Sequence, residues 1–257
     1  MSAPAYREYG RFGRIGIGTP QANPTVEAEF AILLPRACSL HVTRMTSPAP
    51  EPAERLKDYL VGLESYLSAF DTLRPDVFGF ACTGSSYLLG AETEQRIIES
   101  AADRCAYPIE TAARAILWGL ERLRARRIAA IVPYPEYVVD AALRYWAAAG
   151  IDVRHVERIA LRTADTRGVY ELVSSQVIAA LQRLVLDGMD AVLITGTGMP
   201  SLAALREPFV SVPVLSSNSC LAARLLDLHG RSELLESGSL DIREWRQRFD
   251  ESRRLTL

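Results

Sequence analysis

The chain has 257 residues, 49% of them hydrophobic and 23% charged, with a formal net charge of −2 and a pI near 6.0, the composition of a globular protein able to bury a substantial core. No global basic field exists to hold a nucleic-acid backbone against salt, which argues against polynucleotide partners, and no run approaches the roughly 18 apolar residues of a membrane span. The opening MSAPAYREYGRFGR carries charge from Arg7 onward and lacks the apolar stretch of a signal peptide, so a cytoplasmic protein is expected.

Along the chain, short apolar runs bounded by Gly, Pro or Ser alternate with longer helical patterns. RIGIGTP, SLHVTRM, VFGFACT, RIAAIVP, VRHVERI, AVLITGT and VPVLSS read as strands, several of them apolar on both faces as in a buried parallel sheet. Between them, PTVEAEFAILL, the segment 52–73, ETEQRIIESAAD, ETAARAILWGLERL, EYVVDAALRYWAAAG and VYELVSSQVIAALQRLVLDG carry apolar residues at helical spacing. Strand then helix, repeated, predicts βαβ units and parallel sheets with helices on both faces. The proline-rich stretch Ser47 to Glu54 reads as a stiff connector or a lid, and the tail after His229 as one Arg-rich helix anchored by Trp245.

A weak repeat refines this picture. RIGIGTP from Arg14 matches RIAAIVP from Arg127 at an offset of about 113 residues, and FGFACTG from Phe78 matches VLITGTG from Val192 at about 114. Two matches at one spacing suggest duplication. The expected fold is α/β, with two pseudo-symmetric doubly wound halves: residues 1–118 plus 217–257, carrying Cys82, and residues 119–216, carrying Tyr134 and the Gly196 turn. Ligands of such sheets bind at the carboxyl ends of the strands, here in the cleft between the halves.

Single residue types exclude whole chemistries. The only lysine, Lys57, lies in the amphipathic stretch ERLKDYLVGLESYL, so pyridoxal phosphate enzymes, Schiff-base lyases and P-loop NTPases, which need a lysine at a motif position, are excluded. His41, His155 and His229 are far apart and without ligand spacing, so no metal is expected. Cys38, Cys82, Cys105 and Cys220 form no CxxC pair and are expected to be free thiols. Gly16 and Gly18 fall within the first strand rather than the turn after it, and GTGMPS lacks the third glycine of a dinucleotide fingerprint; no cofactor is implied.

Four turns carry hydroxyls, amides or free N–H groups just before a helix, a setting that favours small anions: TPQANPTVE, ACTGSSYLLG, VPYPEYV and TGTGMPSL. Within them only Cys82 is a strong nucleophile or proton donor near neutral pH. A helix starting after it is expected to lower its thiol pKa; the alternative is an inert cysteine buried at a strand end. Cys220, in SSNSCLAARLL, has a similar position and a supporting role is open to it.

TPQANPTVEAEF, ACTGSSY, VPY, TGTGMPSL and VLSSN together resemble the active-site segments of the aspartate/glutamate racemase superfamily, near its maleate isomerase and arylmalonate decarboxylase branch, over about residues 12 to 228. The resemblance implies a cofactor-independent, homodimeric enzyme acting on a carbon next to a carboxylate of a small mono- or dicarboxylate substrate. It implies Asn23 as carboxylate grip, Cys82 as catalytic cysteine and Tyr134 as proton donor, with Thr83, Ser85, Ser86 and the backbone N–H groups around Thr197 and Gly198 as further hydrogen-bond donors. Two departures stand out. Gly196 occupies the position of the superfamily's second cysteine, and Asp165 with Thr166 replaces an asparagine. Three readings follow: a maleate-type cis–trans isomerase using Cys82, an arylmalonate-type decarboxylase in which Cys82 returns a proton to an enediolate, and a non-catalytic carboxylate-binding relative.

Overall fold

The computed structural model describes residues 7–163, 165–237 and 239–254. Its first half runs β1 (Gly13–Pro20), α1 (Thr25–Leu33), β2 (Cys38–Met45), α2 (Pro52–Val61), α3 (Leu63–Ser68), β3 (Val77–Phe80), α4 (Thr83–Leu89), α5 (Ala91–Cys105), β4 (Ile109–Thr111) and α6 (Ala112–Arg122). The second runs β5 (Arg127–Val132), α7 (Glu136–Ala148), β6 (Asp152–Arg158), α8 (Ser174–Gln182), β7 (Ala191–Ile194) and β8 (Val214–Ser216). The last two helices are α9 (Ser217–Leu228) and α10 (Trp245–Arg254).

Every strand pair is parallel, and the orders β2-β1-β3-β4 and β6-β5-β7-β8 are the same in the two sheets. The two repeat matches fall on β1 with β5 and on β3 with β7, so each match joins strands at equivalent places in the two sheets. Inner strands β3 (VFGF) and β7 (AVLI) are buried at every residue, because helices cover both faces of a parallel sheet. At Gly79 a side chain would meet Ile17 and Leu225 at 2.8 Å; a glycine there lets α9 lie against β3. Helix α9 thus leaves the last strand of the second sheet and packs on α1, α6, β3 and β4 of the first half.

Four expectations change. Strand β4 falls inside a stretch read as helix: its three residues carry Glu110, whose buried carboxylate is held by Arg114 and Arg224, and nothing in IET marks a strand. The helix read over 52–73 breaks at Gly62, and the one read over 169–188 is a 3-10 turn (Thr166–Glu171) followed by α8. The tail is not one helix, since Ser232–Leu234 form a short 3-10 turn and Leu235 makes an isolated bridge with Ile242. Only α10 is helical beyond that, and Trp245 is indeed buried at its start. Arg248 on α10 donates to the carbonyls of Ile32 and Leu33 at 2.7 and 2.8 Å, satisfying the open C-terminal end of α1. Among the described residues, no helix is long and apolar enough to cross a membrane.

Candidate active site

The carboxyl ends of β1, β3, β5, β7 and β8 converge where the halves meet. A narrow cavity there is lined by Pro20, Leu56, Cys82, Thr83 and Gly84 of the first half, and by Tyr134, Thr166, Val169, Tyr170, Gly196, Thr197 and Gly198 of the second. Its free volume is about 40 Å³, far below the roughly 300 Å³ at which ordinary small-molecule sites begin. Among the described residues no Asp, Glu, His, Lys or Arg lines it, so an anion held here meets neutral donors, and the donor set of one thiol and several hydroxyls suits no common metal.

Cys82, two residues past the end of β3, is extended and precedes the first turn of α4. The Ser85 hydroxyl donates to its Sγ at 3.2 Å. Burial pushes the thiol pKa up, and the Ser85 hydroxyl and the N–H groups of Ser85 and Gly84 bring it only part of the way back. The expected lowering is thus reversed: removal from water costs a thiolate more than these donors return.

Thr83 Oγ1 and the Tyr134 hydroxyl are 2.5 Å apart across the two halves, with Thr195 Oγ1 3.5 Å from the same hydroxyl. Burial raises the Tyr134 pKa, leaving a protonated phenol at neutral pH. Thr197 donates its hydroxyl to the Ala81 carbonyl at 2.9 Å. Gly196 takes φ +116°, and a side chain there would start 2.8 Å from a ring carbon of Pro133.

The remaining expected residues stand behind this first layer. The side-chain oxygen of Asn23 accepts from the N–H groups of Thr25 and Val26 at 2.9 and 3.3 Å, capping α1, while its nitrogen makes a long 3.5 Å contact with Thr197 Oγ1. Ser85 sits beneath Cys82, and Ser86 is buried against Glu94. Neither serine lines the cavity. Cys220 is buried against Gly119 of α6, away from the cleft. A larger hollow of about 520 Å³ between α5, α6, α7 and α9 is lined by Glu94, Glu110, Arg114 and Arg224, whose charges are already paired or hydrogen-bonded.

The family model for arylmalonate decarboxylase matches residues 75–236. The chain belongs to that family. Among members of known activity, the arylmalonate decarboxylase family chain is 30% identical to a maleate isomerase of Nocardia farcinica, over 83% of this chain and 88% of that one. A crystal structure of a mutant maleate cis-trans isomerase from the same organism, with a covalently bound succinylcysteine intermediate, superposes with a TM-score of 0.77 at 29% identity, covering 91% of this chain and 98% of that one. An arylmalonate decarboxylase structure at 19% identity gives a TM-score of 0.74, with coverage of 89% and 98%, and shares the fold.

Sequence reasoning missed several residues of the family cleft. Pro20, Leu56, Val169 and Tyr170 carry no chemical signal of their own and reach the cavity from separate segments. Arg55, on α2, is 4% exposed and pairs with Asp165 at 2.5 Å across the halves. The departure noted at Asp165 was the one available clue, but its partner lies 110 residues away.

Proposed function

We propose that the protein is a cofactor-independent cis–trans isomerase of a small dicarboxylate, of the maleate type, with Cys82 as its nucleophile. One observation carries this reading: the only thiol in the interdomain cavity stands just past the end of β3, in a fold shared with a relative whose cysteine bears a succinyl adduct. The Cys82 thiolate adds to one alkene carbon, forming an S–C bond while the π pair moves to the neighbouring carbon as an enediolate. Tyr134 protonates that carbon to give a succinyl adduct; the central bond, now single, rotates, and the tyrosinate takes the proton back. The pair then reforms the double bond and expels the thiolate, so no proton is consumed overall.

Tyr134 and Thr83, hydrogen-bonded to one another, are the proposed acid and positioning group, and the N–H groups of Thr197 and Gly198 hold a carboxylate or the enediolate. Preorganised donors of this kind are each worth on the order of 3 kcal/mol. Asn23 grips the second carboxylate through its weakly engaged side-chain nitrogen; Ser85 tunes the thiol, and Ser86 supports α4. Cytoplasmic residence, supported by four unpaired cysteines, and a homodimer belong to the same proposal; light scattering tests the latter.

The matching family model favours a second reading, decarboxylation of a disubstituted malonate with Cys82 returning the proton. Proton NMR in deuterated buffer separates the two. With maleate, fumarate signals that vanish in Cys82→Ala establish the isomerase. Loss of carbon dioxide from phenylmalonate, with deuterium entering one enantiomer, establishes the decarboxylase, and inactivity on both leaves carboxylate binding.

A further inference from the structure

Glu29 lies on α1, six residues past Asn23, and is 5% exposed. In TVEAEFAIL it has no cation beside it. Its carboxylate instead accepts four hydrogen bonds: from the second half the Ser201 N–H at 2.5 Å, the Leu202 N–H at 3.1 Å and the Ser201 hydroxyl at 2.9 Å, and from α9 the Asn218 side-chain nitrogen at 2.7 Å. The same Asn218 nitrogen donates to the Thr197 carbonyl at 3.1 Å. Thr25, one helical turn before Glu29, donates its hydroxyl to the Gly198 carbonyl at 2.8 Å.

These contacts bracket the turn 196–202 from both ends. Its N-terminal side lines the cavity at Gly196, Thr197 and Gly198, and its C-terminal side is clamped on Glu29. Burial pushes the Glu29 carboxyl pKa up and these hydrogen bonds oppose that rise; with donors on both oxygens the group fills a cradle of N–H groups, and a charge-assisted acceptor holds such groups more tightly than a neutral one. We propose that Glu29 is a positioning residue: by anchoring Ser201, Leu202 and Asn218 it fixes the backbone of Thr197 and Gly198 in the orientation from which it serves the reaction. The role rests on the isomerase reading of the cleft. Glu29 touches no substrate and acts only through the turn.

Glu29→Gln tests this. The glutamine nitrogen would confront the donors of Asn218 or Ser201, so Asn218 turns over and releases the Thr197 carbonyl. Expected are a kcat at least tenfold lower at nearly unchanged KM, at least tenfold faster amide hydrogen exchange in the peptide spanning 195–205, and an iodoacetamide alkylation rate at Cys82 within about twofold of native. A merely structural role would instead speed alkylation as the fold loosened. Should Glu29→Gln not fold, Asn218→Ala removes the same link and carries the same expectations. Native-like exchange and kcat in the folded variant overturn the inference. A native protein that turns over neither maleate nor phenylmalonate overturns the functional reading instead, while the exchange result still decides whether Glu29 holds the turn.

Discussion

A ring carbon of Pro133 stands 2.8 Å from the point where a side chain at Gly196 would begin. Gly196 is the repeat mate of Cys82, so the second half holds backbone and proline ring where the first holds a thiol. Position 196 also takes φ +116°, a conformation that penalises any residue with a β-carbon. Gly196→Cys is therefore expected to destabilise the fold by about 1–3 kcal/mol and to bring no gain in isomerisation. Thermal unfolding alongside maleate turnover checks this. A stable and faster variant would show that the turn yields easily and that the proline is no barrier.

Because burial raises the Cys82 pKa, the free enzyme carries little thiolate at neutral pH. For a raised pKa the protonated thiol is the form the fold favours: that stability is complete below the ordinary thiol value and is lost as pH climbs through the raised one. Reactivity runs the other way. Alkylation of Cys82 by iodoacetamide, and kcat/KM for maleate, are expected to rise with pH without a plateau up to pH 9, and Cys82→Ala should abolish both. A plateau at or below pH 8 would mean that the site stabilises the thiolate before substrate arrives.

Tyr134→Phe removes the partner of Thr83 Oγ1 at 2.5 Å while keeping the ring. Loss of a general acid lowers turnover by about 100-fold or more, whereas an unpaired buried hydroxyl costs only about 1–2 kcal/mol of stability. The expected signature is a large fall in kcat in a protein whose melting temperature drops modestly. Retention of more than a third of native kcat would remove Tyr134 from the chemistry.

The pair of Arg55 with Asp165 links α2 to the 3-10 turn that supplies Thr166, Val169 and Tyr170 to the cavity wall. Partial burial pushes the Asp165 carboxyl up, but hydrogen bonds from Arg167 and the charge of Arg55 outweigh it and leave its pKa below the ordinary value. The stability it contributes is thus present above the ordinary carboxylate range and lost as pH falls through the lowered value. Asp165→Ala leaves the Arg55 cation buried without its partner; we expect a loss of about 1–3 kcal/mol, discounted because Asp165 is partly solvated, and faster alkylation of Cys82. An unchanged alkylation rate would show that the turn does not control access to the thiol.

The sequence by itself determined the alternation of strand and helix, the doubled architecture and the turns at which chemistry collects. These are local or periodic properties: apolar runs such as AVLI read as buried strands wherever they fall, and a repeat offset needs no contact to be seen. Cys82 could be named in advance from its turn, and Thr83, Tyr134, Thr197 and Gly198 because their turns resemble the family's active-site segments; the structure brings all five to one cavity. Only the tertiary structure decided the rest. Three residues, Ile109–Thr111, are too few to show a period, yet they pair with β3 because its free edge needs hydrogen bonds. The Cys82 pKa rises rather than falls because burial is the sum of all surrounding segments, not a property of the helix that follows. Glu29, in a helix whose pattern puts a glutamate in water, is buried because its donors arrive from 172 to 189 residues away. Charge, burial and partner at such a position are set by long-range closure of the two halves, which no local pattern encodes.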